Sequence, residues 1–175
     1  VVAYGLFINK DLFERYGLGL PETPEQFLEC CRVFQDNGIE TPIGANRWWL
    51  ETFVFAQAYA DLYNGGNTEA EIAALNSGEA RYSDYMRPGF EFLQTLIDEG
   101  YVDAEKALVS EAIEGEGADF LAGKTPIVMA YWGAANTETA YGKTDFEMQV
   151  IGFPSSRGQM PVMPMTGWAV GAEAE

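Results

Sequence analysis

The chain has 175 residues, enough for one sizeable core and cramped for two full domains. Hydrophobic residues make up 47% and aromatics 14%, with no low-complexity tract, which excludes a disordered chain. A formal net charge of −17 excludes nucleic acid as a partner, because phosphates are repelled at long range, and the absence of histidine removes the commonest metal ligand and the commonest neutral-pH base.

Residues 1–9 are an apolar run rich in Val, Tyr, Phe and Ile and read as a strand. Asn9 or Asp11 caps a short helix through Tyr16, closed by Gly17. A well-signalled helix follows. Thr23, Pro24 and Gln26 supply an N-cap, a first-turn proline and a capping-box partner, while Phe27, Leu28, Cys31 and Phe34 mark one face and Gly38 ends it. Cys30 and Cys31 are neighbours inside it, where side chains diverge and a vicinal disulfide would be strained, so buried thiols are expected.

Residues 41–45 read as a short strand leading to Asn46, Arg47, Trp48 and Trp49, and residues 50–62 as a helix stopped at Gly65 and Gly66. The two tryptophans are therefore expected at a strand-to-helix junction. Residues 70–75 form a short helix capped by Thr68, and 76–78 a turn. Residues 87–99 form a strong helix, with Pro88 near its start and Phe90, Leu93 and Ile97 on one face. Residues 110–122 are helical but interrupted by Gly115 and Gly117.

The stretch FLAGKTPIVMAYWGAAN, residues 120–136, organises the rest: a helix end, a stop at Gly123, a strand at 126–131 covered on both faces, and Trp132 at the strand's exit. Residues 147–153 are a second apolar run ended by Pro154; 155–165 read as a loop rich in Pro, Gly and Met, and 166–172 as a last strand around Trp168. Both ends of the chain read as lying inside structure, so a piece of something longer is expected. The order gives an α/β class, a small central β-sheet surrounded by helices, in a single domain over residues 1–175.

Open α/β sheets bind ligands outside the carboxyl ends of their strands, and Tyr131, Trp132 and Asn136 fall at such an end. A sugar presents an apolar face of C–H groups and a rim of hydroxyls, which aromatic rings and polar side chains respectively recognise. All four tryptophans sit at expected strand exits or junctions. Trp132 reads as lying beside a ligand or as packing in the core, and Trp168 as touching ligand or filling a hinge. At most one of Trp48 and Trp49 can point inward. Arg47 offers forked hydrogen bonds to hydroxyls or a carboxylate, or pairs with a surface acid. Asn46 and Asn136 are amides at the same openings, or helix caps. Tyr131 alternates inward or outward with Trp132, so one of the two is a stacking candidate. Tyr85, Asp84 and Glu51 are further candidates. No cofactor or metal is implied.

Three stretches together resemble the solute-binding proteins of ABC importers, specifically the large extracellular family for sugars and oligosaccharides. YGLFINKDLFERYGL followed by PETPEQFLECC is similar to that family's hinge strand, NKDLF-type helix and Pro-Thr helix start. FLAGKTPIVMAYWGAAN is similar to its GKTAM-like strand ending in Gly and Trp, and TGWAVGAEA to its returning Gly-Trp-Ala segment. Each motif alone is common; order and spacing make the set specific, and it covers essentially the whole chain.

The resemblance implies one lobe, the second, of a bilobal periplasmic-binding-protein-like fold, cut near the crossovers, with residues 1–9 and 166–172 on the cleft side. It further implies a mono- or oligosaccharide held between lobes, delivery to a membrane permease, an extracytoplasmic location (periplasmic or as a cell-surface lipoprotein), and no catalysis. Two rival classes stand beside it. A carbohydrate-active hydrolase would need paired carboxylates such as Asp84 with Glu79 or Glu51 with Asp61. An interaction module would use Met160, Met163 and Met165 as an adaptable patch, although these methionines also fit a crossover loop.

Overall fold

The first apolar run becomes the strand on which the sheet is built. The computed structural model describes residues 2–109, 116–131, 143–158, 160 and 163–166. Strand β1 (Val2–Asn9) is central; β3 (Ile127–Tyr131) pairs antiparallel along one side. On its other side β4 (Met148–Ile151) pairs with residues 6–9, and β5 (Met163–Thr166) with residues 2–4, both antiparallel. The short β2 (Ile43–Gly44) lies outside β3 and runs parallel to it.

Alternation in β1 divides the interior into two clusters. Leu6 and Ile8 face the large one, with Phe13, Phe27, Phe34, Phe53 and Phe153; Phe7 points to the other side, with Val128 and Phe120. Ile127, Val128 and Met129 are all buried, so β3 is covered on both faces, as an uninterrupted apolar run requires.

The helices begin where side-chain oxygens are available for free backbone N–H groups. Leu12 N–H donates to Asn9 Oδ1 at 3.1 Å at the start of α1 (Lys10–Arg15), and Gln26 N–H donates to Thr23 Oγ1 at 3.3 Å at the start of α2 (Pro24–Asp36). Gln26 reaches back, but to Glu22 N–H at 2.7 Å rather than to the cap residue. Phe27, Cys30, Cys31 and Phe34 are the buried face of α2, with Leu28 only half-buried. Both cysteines are free thiols; burial pushes Cys30 up to about 11 and also raises Cys31 well above the usual thiol value.

Helix α3 (Arg47–Asn64) starts before both tryptophans, which therefore lie in its first turn rather than ahead of it. Helix α4 (Thr68–Ser77) is longer than expected, and Asn67, not Thr68, stands at its cap position, with no side-chain cap bond. Helix α5 (Tyr82–Asp98) begins well before Pro88, so the proline lies inside it. Its buried residues are Gly89 and Leu96, while Phe90, expected on the core face, is exposed. Close packing explains the shift. A Cβ at Gly89 would stand 2.4 Å from the Val54 carbonyl oxygen, so the glycine allows α3 and α5 to meet backbone to backbone.

Helix α6 (Ala104–Val109) was not expected, although Asp103 Oδ1 accepts from Lys106 N–H at 2.8 Å in ordinary capping fashion. Helix α7 (Glu116–Leu121) occupies the second half of the interrupted segment; residues 110–115 lie outside those described. Lys106 bonds Asp119 at 3.1 Å, tying α6 to α7 and holding the Asp119 carboxyl below its usual range, first through that hydrogen bond. Met163 and Met165 belong to strand β5 and not to a loop; residues 167–172, read as a strand, lie outside the described residues.

Candidate functional site

Directions in the sheet bring Tyr131 and the junction of β2 with α3, which carries Asn46 to Trp49, to one end. β2 and β3 run the same way and β1 runs against them, so the exit of β3 lies beside the entry of β1, with Tyr131 opposite Tyr4. β2 leads through Ala45 and Asn46 into α3 at this same end, and Met163 of β5 is also paired with Tyr4. The carboxyl-end rule for parallel sheets covers only β2 and β3 here; antiparallel β1 adds Tyr4, which sequence reading had not singled out. Its signal was parity, since residues 4, 6 and 8 share a face of the strand.

Asn46 is 1% exposed, and its Oδ1 accepts from Trp48 N–H at 3.0 Å and Trp49 N–H at 3.2 Å. The capping reading of this amide is the one the geometry supports, and it fixes where both indoles begin. Trp49 turns inward. Its ring meets Tyr4 edge-to-face, centroids 5.2 Å apart, at the margin of the large cluster. Trp48 points outward at 57% exposure, and Arg47 lies over its ring with Cζ 4.8 Å from the centroid. One tryptophan in and one out is what adjacent positions on a helix enforce.

Arg47 forms no ion pair with any carboxylate among the described residues, so stacking rather than a surface acid orients it. A guanidinium stacked on a ring keeps its N–H donors available for a hydroxyl or carboxylate. Tyr131 is fixed here by its backbone. Trp132, Asn136 and Trp168 lie outside the described residues.

The further candidates go elsewhere. Tyr85 donates its hydroxyl to Glu71, and that bond raises the phenol's pKa. Asp84 faces Arg87 at 4.0 Å, and Asp61 accepts from Arg157 at 3.1 Å and from Ser156 at 3.2 Å. A recess of about 140 Å³ opens between β2, α6 and α7, lined by Thr41, Asp103, Lys106 and Asp119 among others, and a broader one of about 510 Å³ lies beside the start of α2. Neither is lined by an indole. Among the described residues no group of three or more acidic or thiol side chains could hold a metal, and no helix is long and apolar enough to cross a membrane.

No curated protein matches the chain significantly. Solved structures do. A family 1 extracellular solute-binding protein from Bifidobacterium longum subsp. infantis superposes with a TM-score of 0.73 at 19% identity, over 99% of this chain and 45% of its own. A sugar transporter from Bacillus licheniformis in complex with stachyose gives 0.67 at 20% identity, over 91% of this chain and 42% of its own. One from Arthrobacter chlorophenolicus A6 with bound laminaribiose gives 0.64 at 18% identity, over 92% and 39%. At such identities the likeness shows the fold, and the chain spans less than half the length of these structures. The family model of bacterial extracellular solute-binding proteins matches residues 1–172, and the chain belongs to that family.

Proposed function

We propose that this chain is the second lobe of a bilobal extracytoplasmic solute-binding protein that captures a carbohydrate for an ABC permease. The observation that carries the reading is the meeting of Trp49 with Tyr4 at the sheet end where β2 and β3 terminate, with Trp48 and Arg47 projecting outward beside them. An indole that reaches solvent supplies a stacking face, and a guanidinium supplies donors for a ring of hydroxyls. Family membership and two solved sugar-bound relatives add support. Ligand would be enclosed by hinge closure onto the other lobe, the motion of periplasmic binding proteins.

Within this reading Trp132, Asn136, Trp168 and Tyr131 join Trp48, Trp49 and Arg47 around the ligand, and Asn46 is a positioning residue. The lobe provides part of the contacts, so this chain by itself binds more weakly than the two-lobed protein. Calorimetry on both, with a panel of mono- and oligosaccharides, tests this: equal affinity would mean one lobe suffices, and no heat with any sugar would remove the carbohydrate assignment.

Catalysis is not part of the proposal. Glu51 and Asp61 are ten residues apart on α3, about 15 Å at 1.5 Å per residue. Glycosidase carboxyls stand roughly 5 to 9.5 Å apart. Asp61 is moreover occupied by Arg157. Release of a shortened sugar during incubation would reverse this conclusion.

A further inference from the structure

Arg47 is held in an unusual way for a cation in so acidic a chain. Arg32, Arg87 and Arg157 each lie within 4.0 Å of a carboxylate. Arg47 has the exposed Glu51 one turn along α3, at the spacing where helical ion pairs form, yet the two make none. Its guanidinium lies instead on the Trp48 ring, Cζ 4.8 Å from the centroid. Arg15 and Arg81 also lack an ion pair among the described residues, but Arg15 ends α1, which leaves the opposite end of the sheet, and Arg81 precedes α5. Arg47 stands at the sheet end where Tyr4, Tyr131 and Trp49 meet, with its charge uncompensated by any carboxylate among the described residues.

We infer that Arg47 is a carboxylate-binding, specificity-determining residue and that the solute is an acidic sugar bearing a uronate group, a step that rests on the carbohydrate reading proposed above. A hydroxyl accepts a hydrogen bond from a guanidinium and leaves its charge in place, whereas a carboxylate accepts two in parallel and neutralises it. The difference counts when the lobes close and water leaves, because a cation enclosed without an anion is strongly penalised. Stacking on Trp48 fixes the plane of the fork in advance, so less freedom is lost when a carboxylate arrives. A net charge of −17 repels an acidic solute from the surface as a whole, which leaves the local cation to decide whether it binds.

Calorimetry on the two-lobed protein with matched probes provides the test. Glucuronate, galacturonate and short oligogalacturonates are each compared with their methyl esters, which keep the rings and hydroxyls and remove the charge, and with the corresponding neutral sugars. The acid is expected to bind about tenfold to a hundredfold more tightly than its ester. Arg47→Gln should bring the acid down to the ester's affinity, while Arg47→Lys should keep part of the preference, because an ammonium supplies the charge without the fork. Arg81→Gln, the same change in net charge ahead of α5, should leave the preference intact. Neutral sugars or esters binding as well as the acids, or a preference that survives Arg47→Gln, overturns the inference and leaves the carbohydrate reading standing. Absence of binding by every acid, ester and neutral sugar overturns both.

Discussion

Two aromatic regions of this lobe are built from the same class of side chain and serve opposite ends. The interior set is phenylalanine: Phe13, Phe27, Phe34, Phe53 and Phe153 are fully enclosed, with Phe13 edge-on to Phe34 at 4.9 Å and Phe53 edge-on to Phe153 at 5.6 Å. The other set reaches water: Trp48 and Tyr63 on α3, with Tyr82 on α5. A ring with no polar handle can be buried at no hydrogen-bonding cost, whereas an indole N–H or phenol hydroxyl is best left where a partner or water can reach it. The division is not absolute, since Tyr101 is buried and Phe90 exposed, but it separates a region that holds the fold from one open to solvent.

The sharpest way to break this contrast is to truncate one ring from each set. Phe53→Ala, which empties a fully enclosed site between α2, α5 and Phe153, should cost about 3–5 kcal/mol in urea denaturation. Trp48→Ala should change stability by less than about 0.5 kcal/mol, since the ring is mostly in water, while lowering sugar affinity about tenfold. Similar stability losses at both positions would erase the distinction.

Alkaline titration probes the enclosed side. Cys30 is held at about 11 in the fold against an ordinary 9.0, chiefly by burial, so the folded state keeps a proton that the unfolded state releases first. Stability contributed by the neutral thiol is therefore present below about pH 9 and lost as pH rises toward 11, by up to about 3 kcal/mol for two pH units. Cys30→Ala should flatten that part of the stability curve, measured by thermal unfolding from pH 8 to 11.

Two smaller changes act on α3, which joins the regions. Gly89→Ala forces a methyl into the Val54 carbonyl and should cost about 1–3 kcal/mol, with loss of the α3–α5 approach visible as faster amide exchange in both helices. Asn46→Ala removes the acceptor for Trp48 and Trp49 N–H and should cost about 1 kcal/mol, together with a fall in sugar affinity that Asn46→Asp restores. An unchanged affinity would mean that the indoles do not depend on the cap.

Much of the architecture was legible locally. Asn9 and Thr23 are short polar acceptors ahead of apolar periodicity, and both cap as their chemistry predicts. The continuous apolar run at Ile127, Val128 and Met129 could only be a strand covered on both faces. Where reading failed, a distant residue had intervened. Pro88 looks like a helix start until Gly89 is seen pressed against Val54, packing that carries α5 across the proline and turns its buried face toward Gly89 and Leu96.

The sequence by itself determined that this is an acidic α/β chain with no histidine chemistry and that one of Trp48 and Trp49 must face outward; those follow from composition and from the fixed angle between neighbours on a helix. Only the tertiary structure decided which one, and that Tyr4 is the partner of the other, because strand direction is set by pairing between segments more than a hundred residues apart. Which side of α3 stays open to water likewise depends on where α5 and the sheet come to rest.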